Sequence, residues 1–487
     1  MFRHVLTQVV VYETLLLERR KSLHGIAGRA IEALYPEWLE EHYETLAHHY
    51  SQSDDTEKAI HYLEFAGDKA AKYFSLVEAR KHYREAIRLV DAMEVTPERM
   101  TIRIDLTLSW AAVAFYSPSE EIINVLETSL SFAEQMGDES RLARIVYWMG
   151  RTHFSLGDMA RALSVFERCI GIAEALADEE LLALPYIIMG RACWYTAEHT
   201  KGIEFLEKGV PILERLGNMD EVAYSTSYLG VLHCWTGDFP RGNLLAEKAL
   251  EIARELGNLT REAQTQSVIT FVRIVHGDWA AALDTGTRSM DIAQRIGSVV
   301  TVGYGMGWKG IATFMLGQRE EGIELMKEGG KLIEATGSHL TLTLIHGWLA
   351  ESCAASGAVE DAVLYASKVL ERGLVLDKVG EAMAHRALAV AASLEIPPDW
   401  GRVEDHIEES IHLSQDRGER PNLGICFFRS TEILHKKGDL PEASKQLDKA
   451  TILFTDMEMT WWAEQAEALR GRLERGDPWK GFAPYAE

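Results

Sequence analysis

No apolar run in this chain approaches the ~20 residues that a membrane-spanning helix requires. Cysteine is scarce. Its five copies (Cys169, Cys193, Cys234, Cys353, Cys426) are odd in number, far apart and without a CxxC pair, which excludes a disulfide framework or thiolate zinc site and points to a reducing, cytoplasmic compartment. Positive charge is in the minority, with 50 Lys and Arg against 74 Asp and Glu and a formal charge of −24. Such a surface repels phosphate backbones and anionic headgroups, so no direct nucleic-acid or membrane partner is expected. The longest basic cluster is "ERRK" at Glu18 to Lys21.

Catalytic signatures are missing as well. There is no GxxxxGK[ST] phosphate loop, no strand pattern for a GxGxxG to follow, and neither HExxH nor GxSxG. The chain is therefore read as a non-enzyme without a cofactor. His48 and His49 are adjacent, so on a helix they point about 100° apart and suit neither a shared metal nor a relay. The opening "MFRHVLTQVVVYETLLLERRKSLH" does not read as a signal peptide, because Thr7, Gln8 and Glu13 interrupt its apolar residues.

What the chain does have is self-similarity. At 487 residues it exceeds a single ordinary core, and "MGRTHFSLGDMARALSVFERCIGIAEALAD" from Met149, "MGRACWYTAEHTKGIEFLEKGVPILERLGN" from Met189 and "LGVLHCWTGDFPRGNLLAEKALEIARELGN" from Leu229 each start 40 residues after the last. The ruler continues from Ile269, Lys309 and Leu349 and runs back to Ser109. Gly150, Gly190, Gly230 and Gly310 share one column, and Ala162, Gly202, Gly242, Ala282, Gly322 and Ala362 another. Small residues in both columns let two helices approach closely. Between them Gly157, Gly237, Gly277, Gly317 and Gly357, often followed by Asp158, Asp238 or Asp278, read as a helix-ending glycine and an N-cap. Gly137, Gly217, Gly257, Gly297 and Gly337 end the second helix.

An always-apolar column, Trp148, Ile188, Tyr228, Val268, Trp308, Trp348 and Leu388, reads as inter-helix core, since one helix pair cannot bury its apolar face alone. His153 and His233 share a column and read as partly buried structural histidines. The unit, helix, tight turn, helix, resembles the tetratricopeptide repeat, in which glycine, turn and small-residue positions recur in this order. It departs from that family's period of about 34 residues, and the family's second-helix aromatic is present as Phe166 but replaced at Ala246 and Gly286. It is similar to the lengthened repeats of bacterial signalling proteins. The expected fold is all-α, a right-handed α-solenoid of antiparallel helix pairs.

The expected organisation is a helical joining segment at 1–38, irregular repeats at 39–100, regular repeats at 101–380, variant repeats with a capping helix at 381–476, and an irregular tail at 477–487. Within 39–100, "SDD" at Ser53 to Asp55 is a turn and cap. Past Leu388, Pro397 and Pro398 replace the turn glycine, and Gly438 with Asp439 restores it.

Recognition is expected on the first helices, which line the concave face in tetratricopeptide arrays. Their remaining strip carries Arg144, Tyr147, Arg151 and Phe154, then Leu184, Ile187, Arg191 and Trp194, then Tyr224, Ser227, Val231 and Cys234, with Tyr195 and Trp235 beside it. Arginines among aromatics combine bidentate hydrogen bonding with stacking, as a groove for an acidic or aromatic-bearing peptide needs. The predicted binding residues are Arg144, Tyr147, Arg151, Phe154, Arg191, Trp194, Tyr195 and Trp235. The competing reading of the strip is an inner wall of crowded side chains.

Phe2, His4, Leu6, Thr7, Gln8, Tyr12, Leu15, Leu16, Arg19, Arg20, Leu23 and His24 resemble the joint between ATPase module and repeats in bacterial signal-transducing ATPases, many fused to class III adenylate or guanylate cyclases. Val9 departs from that pattern, where the family usually has an acidic residue. "YPEWLEEHYETLAHHYSQSDDTEKAIHYLEFAGDKA" continues the likeness, and "MEMTWWAEQAEALRGRLE" is similar to how such proteins finish. The resemblance implies a non-catalytic sensor or interaction arm that binds a protein or peptide, with an ATPase or cyclase domain as a partner at the N-terminal segment. The alternative is a regulatory part of an ATP-dependent enzyme whose catalytic domain lies on another chain or in a missing N-terminal region.

Overall fold

The computed structural model describes residues 12, 14–73, 75–114, 120–156, 158–336, 342–373 and 377–482. Among them are 23 α-helices, one 3-10 turn and no strand. The fold is an α-solenoid of antiparallel helix pairs. The helices divide into two compact units, Met1–Pro185 and Tyr186–Glu487. No described helix is long and apolar enough to cross a membrane.

The punctuation read from the sequence forms the turns. Gly237, Gly277, Gly317 and Gly357 between paired helices, and Gly137, Gly217, Gly257 and Gly297 between pairs, all adopt positive φ; Gly157 and Gly337 lie outside the described residues. The side chains of Asp158, Asp238 and Asp278 accept the backbone N–H three residues on, removing one orphan donor per helix start. Asp55, Asp399 and Asp439 do the same in the less regular stretches.

In the first unit, glycines seat aromatic rings. A methyl on Gly28 would lie 2.7 Å from the Tyr50 ring, one on Gly67 2.6 Å from Tyr83, and one on Gly150 2.8 Å from Phe166. Phe166 is fully buried, and Tyr50 and Tyr83 belong to a core running from Leu46 and Leu63 through Ile104 and Trp110 to Leu126. Tyr83 Oη, whose ring is buried, donates to Asp68 Oδ1 at 2.7 Å. His49 Nδ1 lies 2.9 Å from His24 Nδ1, and His24 Nε2 lies 3.0 Å from the Tyr12 hydroxyl; neither contact is visible in the spacing of the two segments.

In the second unit the small columns bring backbone against backbone. A methyl on Gly230 would lie 2.8 Å from the Gly242 carbonyl oxygen, and one on Gly310 2.7 Å from that of Gly322. This unit also closes on itself. His199, at the start of its helix, pairs through Nε2 with Glu419 Oε1 at 3.1 Å, 220 residues along the chain. The ring of Trp279 meets Trp461 edge to face at 5.3 Å, and Lys378 donates its backbone N–H to the Tyr195 carbonyl at 2.9 Å. The C-terminal repeats are thus packed against the starts of second helices far upstream. A buried polar chain continues from this seam: Asn422 Nδ2 donates to Glu419 Oε2 at 2.8 Å, Arg386 Nη1 donates to Asn422 Oδ1 at 3.1 Å, and Arg386 Nε donates to Glu351 Oε1 at 2.5 Å.

His346 and His385 of this unit are held neutral by burial. His346 is lowered to about 3 by burial, with Lys368 and Arg372 adding to it, and His385 to about 4 by burial and by His406, whose Nδ1 lies 3.1 Å away. A base whose folded pKa is depressed contributes stability above its unfolded value and loses it as pH falls below that value. Urea titrations at pH 7.5, 5.5 and 4.5 are therefore expected to show progressive loss below about pH 6.5, several kcal/mol in all. Replacing both His346 and His385 by Gln should shrink that dependence, leaving the part due to His199, His233, His276 and His406, which burial also lowers. An unchanged pH profile in the double variant would remove these rings as its source.

Candidate functional site

Five first helices, Glu179–Tyr195, Met219–Trp235, Leu259–His276, Val299–Met315 and Leu342–Ala355, place side chains around one cavity of about 220 Å³ in the second unit. Its lining residues follow the 40-residue register. Tyr224, Gln264, Tyr304 and Leu344 come from one column; Tyr228, Val268 and Trp308 come from the column four residues later, one helical turn on. Trp194, Tyr195, Val231, Ser267, Phe271, Val300 and Thr301 complete the wall. Seven of these side chains are aromatic and none is charged.

Polar groups inside are few and mutually engaged. The hydroxyls of Tyr195, Tyr228 and Tyr224 form a chain, 3.1 Å and 3.3 Å apart, and burial pushes the Tyr195 and Tyr228 phenols far up, so both remain protonated. Trp308 Nε1 donates to Ser267 Oγ at 3.0 Å. Beside the cavity Tyr224 lies between two guanidinium groups, Arg191 at 5.1 Å and Arg261 at 4.6 Å from its ring centre. Arg191 Nη1 donates to Glu221 Oε2 at 3.1 Å, while Arg261 Nη2 donates to Asp220 Oδ2 at 2.6 Å and Glu221 Oε1 at 3.0 Å. Two cations and two carboxylates thus neutralise one another.

The predicted residues fall into two groups, one in each unit. In the first unit Arg144 and Tyr147 line a cavity of about 260 Å³ together with Leu108, Trp148, Asp178, Glu180, Leu181 and Leu184. Arg151 lies one turn on, donating to the Tyr147 hydroxyl at 3.2 Å, and Phe154 is half-buried. In the second unit Trp194 and Tyr195 are on the cavity wall and Arg191 is at Tyr224. Trp235 is buried behind Trp194, 5.6 Å between ring centres, and does not line the cavity.

Tyr228 and Trp308, read from sequence as inter-repeat core, line the cavity, and Gln264, Tyr304 and Arg261 carried no signal of their own. One was present: Tyr224 with Tyr228, and Tyr304 with Trp308, are two aromatic pairs at i,i+4 set two repeats apart. Nothing in the site has the character of a nucleophile or metal centre. The five cysteines are buried, with burial pushing Cys353 up to about 11 and Cys169 up to about 12, and no group of three or more His, Cys, Asp or Glu among the described residues is placed to hold a metal ion.

Residues 143–176, an antiparallel helix pair of the first unit, match the tetratricopeptide repeat family. No curated protein sequence matches the chain. Among solved structures, a Rap protein complexed with competence and sporulation factor aligns at 13% identity, covering 78% of this chain and 99% of that one with a TM-score of 0.46. Aspartyl phosphate phosphatase F from Bacillus subtilis aligns at 12% identity, 81% and 94% coverage and a TM-score of 0.36. A signal transduction ATPase with a tetratricopeptide repeat sensor, from Pyrococcus horikoshii, aligns at 17% identity over 98% of this chain and 68% of that one, with a TM-score of 0.35. The chain is an α-solenoid of helix pairs, of which one, residues 143–176, matches the tetratricopeptide repeat family.

Proposed function

We propose that the chain is a non-catalytic docking scaffold that takes a peptide or protein partner on the first helices of its repeats, with the aromatic cavity of the second unit as its anchor point. The observation that supports this is the convergence of five successive repeats on one apolar, ring-lined recess beside two arginines. Large aromatic surfaces with neighbouring arginines are what partner hot spots are built from. Arg144, Tyr147, Arg151 and Phe154 are proposed as a secondary contact surface of the first unit. The likeness of segment 1–38 to the joint of bacterial signal-transducing ATPases supports a place as the sensor arm of such a cytoplasmic signalling system, with that segment meeting an ATPase or cyclase domain.

The test is a random-peptide display selection against the full chain, followed by affinity measurement on variants. Selected peptides should lose about tenfold or more in affinity for Val268→Trp, which fills the cavity, and for Arg191→Glu, which places a carboxylate against Glu221, with helicity unchanged. Selected peptides that bind both variants as well as the parent would move the docking site elsewhere. Arg151→Glu serves as the corresponding probe of the first unit.

A further inference from the structure

We infer that the anchoring group this cavity takes is an uncharged, flat group of one or two rings that carries one hydrogen-bond acceptor, as the phenol of a partner's tyrosine side chain does, an inference that rests on the docking reading above. Size comes first. The space is about 220 Å³, against the ~150 Å³ apolar cavity that accommodates a single benzene ring. Charge comes second: among the described residues no lining side chain is ionised, and the adjacent Arg191, Arg261, Asp220 and Glu221 are closed upon one another. An anion entering the recess leaves its water without a counter-charge in return, and a cation gains about 2 kcal/mol from a ring face against a larger cost of leaving water.

Shape and hydrogen bonding complete the specification. A wall of seven rings favours an aromatic occupant over an aliphatic one, because edge-to-face and offset-stacked contacts add to the apolar area buried. The hydroxyl chain then sets a polar requirement. Tyr195, Tyr228 and Tyr224 hold three hydroxyl protons, and the two contacts joining them use two. The third is left to donate to an occupant, and a ring lacking an acceptor leaves that proton unmatched.

Four naphthalene probes test this on the full chain by fluorescence titration: 2-acetylnaphthalene, the acceptor-free 2-ethylnaphthalene, 2-naphthoate and 2-naphthyltrimethylammonium. The ketone should bind saturably at one site, with the ethyl compound about fivefold weaker and both ions weaker by about tenfold or more. Val268→Trp should abolish binding. Replacing Tyr195, Tyr224 and Tyr228 together by Phe, which removes all three hydroxyl protons, should bring ketone and ethyl compound within about twofold of each other, whereas Tyr228→Phe alone frees two protons and should keep or widen the gap. Tighter binding of the ammonium probe, equal binding of ketone and ethyl compound by the parent, or no saturable binding of any probe would each overturn the inference. Peptides that bind at Val268 while no probe does would leave the docking reading standing and this one fallen; probes that bind while no peptide is selected would do the reverse. The display selection identifies the partner's side chain as the source of the ring: replacing the selected peptides' tyrosines by phenylalanine should weaken them about as much as ethyl for acetyl weakens the probe.

Discussion

Replacing Arg386 by alanine is expected to destabilise the second unit by about 3–5 kcal/mol, read as a lowered urea midpoint. Its side chain is about 1% exposed, and its guanidinium donates to Glu351, Asn422 and Cys426 Sγ. Burial lowers the Arg386 pKa, but Glu351 beside it outweighs that and the pKa is raised overall, so the charge stays in place. Removal strands the Glu351 carboxylate, 7% exposed, and one acceptor of Asn422. The cost lies mostly in what is left unpaired. Replacing both Arg386 and Glu351 by methionine should therefore recover more than half of the loss, since an apolar pair of similar volume strands no charge. A single alanine variant losing under about 1 kcal/mol would show that water or another group replaces the guanidinium without difficulty.

Adding one methyl group at Gly322 is the second large effect. The new Cβ would lie 2.6 Å from the Phe314 backbone N and 2.7 Å from the Gly310 carbonyl oxygen, atoms that cannot turn aside as a side chain can. The helices Val299–Met315 and Arg319–Ala335 must separate. A loss of about 2–3 kcal/mol is expected in denaturant titration, although alanine is the better helix former by nearly 1 kcal/mol. Gly317→Ala is the informative partner. That residue has φ +98 with nothing within 4 Å of an added methyl, so its cost is conformational only, about 1–2 kcal/mol. Equal losses at the two positions would mean that helix crowding is not the reason for the small-residue column.

The local architecture was legible because each repeat restates it. Gly237, Gly277, Gly317 and Gly357 share one conformational demand, and Asp238 and Asp278 share one capping role, so comparing copies isolates the cause. The cavity was half legible. Its outer column, with Tyr224, lay on the strip predicted for recognition, while Tyr228 and Trp308 were assigned to the core. Periodicity distinguishes a buried face from a wet one but does not say whether a buried face is filled. The closure of the second unit was not legible, since repeat logic concerns nearest neighbours. Its traces were residues that break their column: at the start of the second helix, where one repeat has Met159 and another Val359, the repeats that meet the C-terminal end have His199 and Trp279.

That closure changes how the second unit should come apart. An open stack of helix pairs unfolds piecemeal, because each pair holds only its neighbours and end pairs fray first. Here the His199–Glu419 and Trp279–Trp461 contacts tie positions 220 and 182 residues apart, so neither end can leave without breaking the other's seam. Hydrogen exchange should accordingly find the amides of Arg420–Lys437 protected to the same free energy as those of Met219–Trp235. The chain-closure entropy behind such distant contacts must be met before they form, so folding should be slower than the local helix pairing alone would suggest.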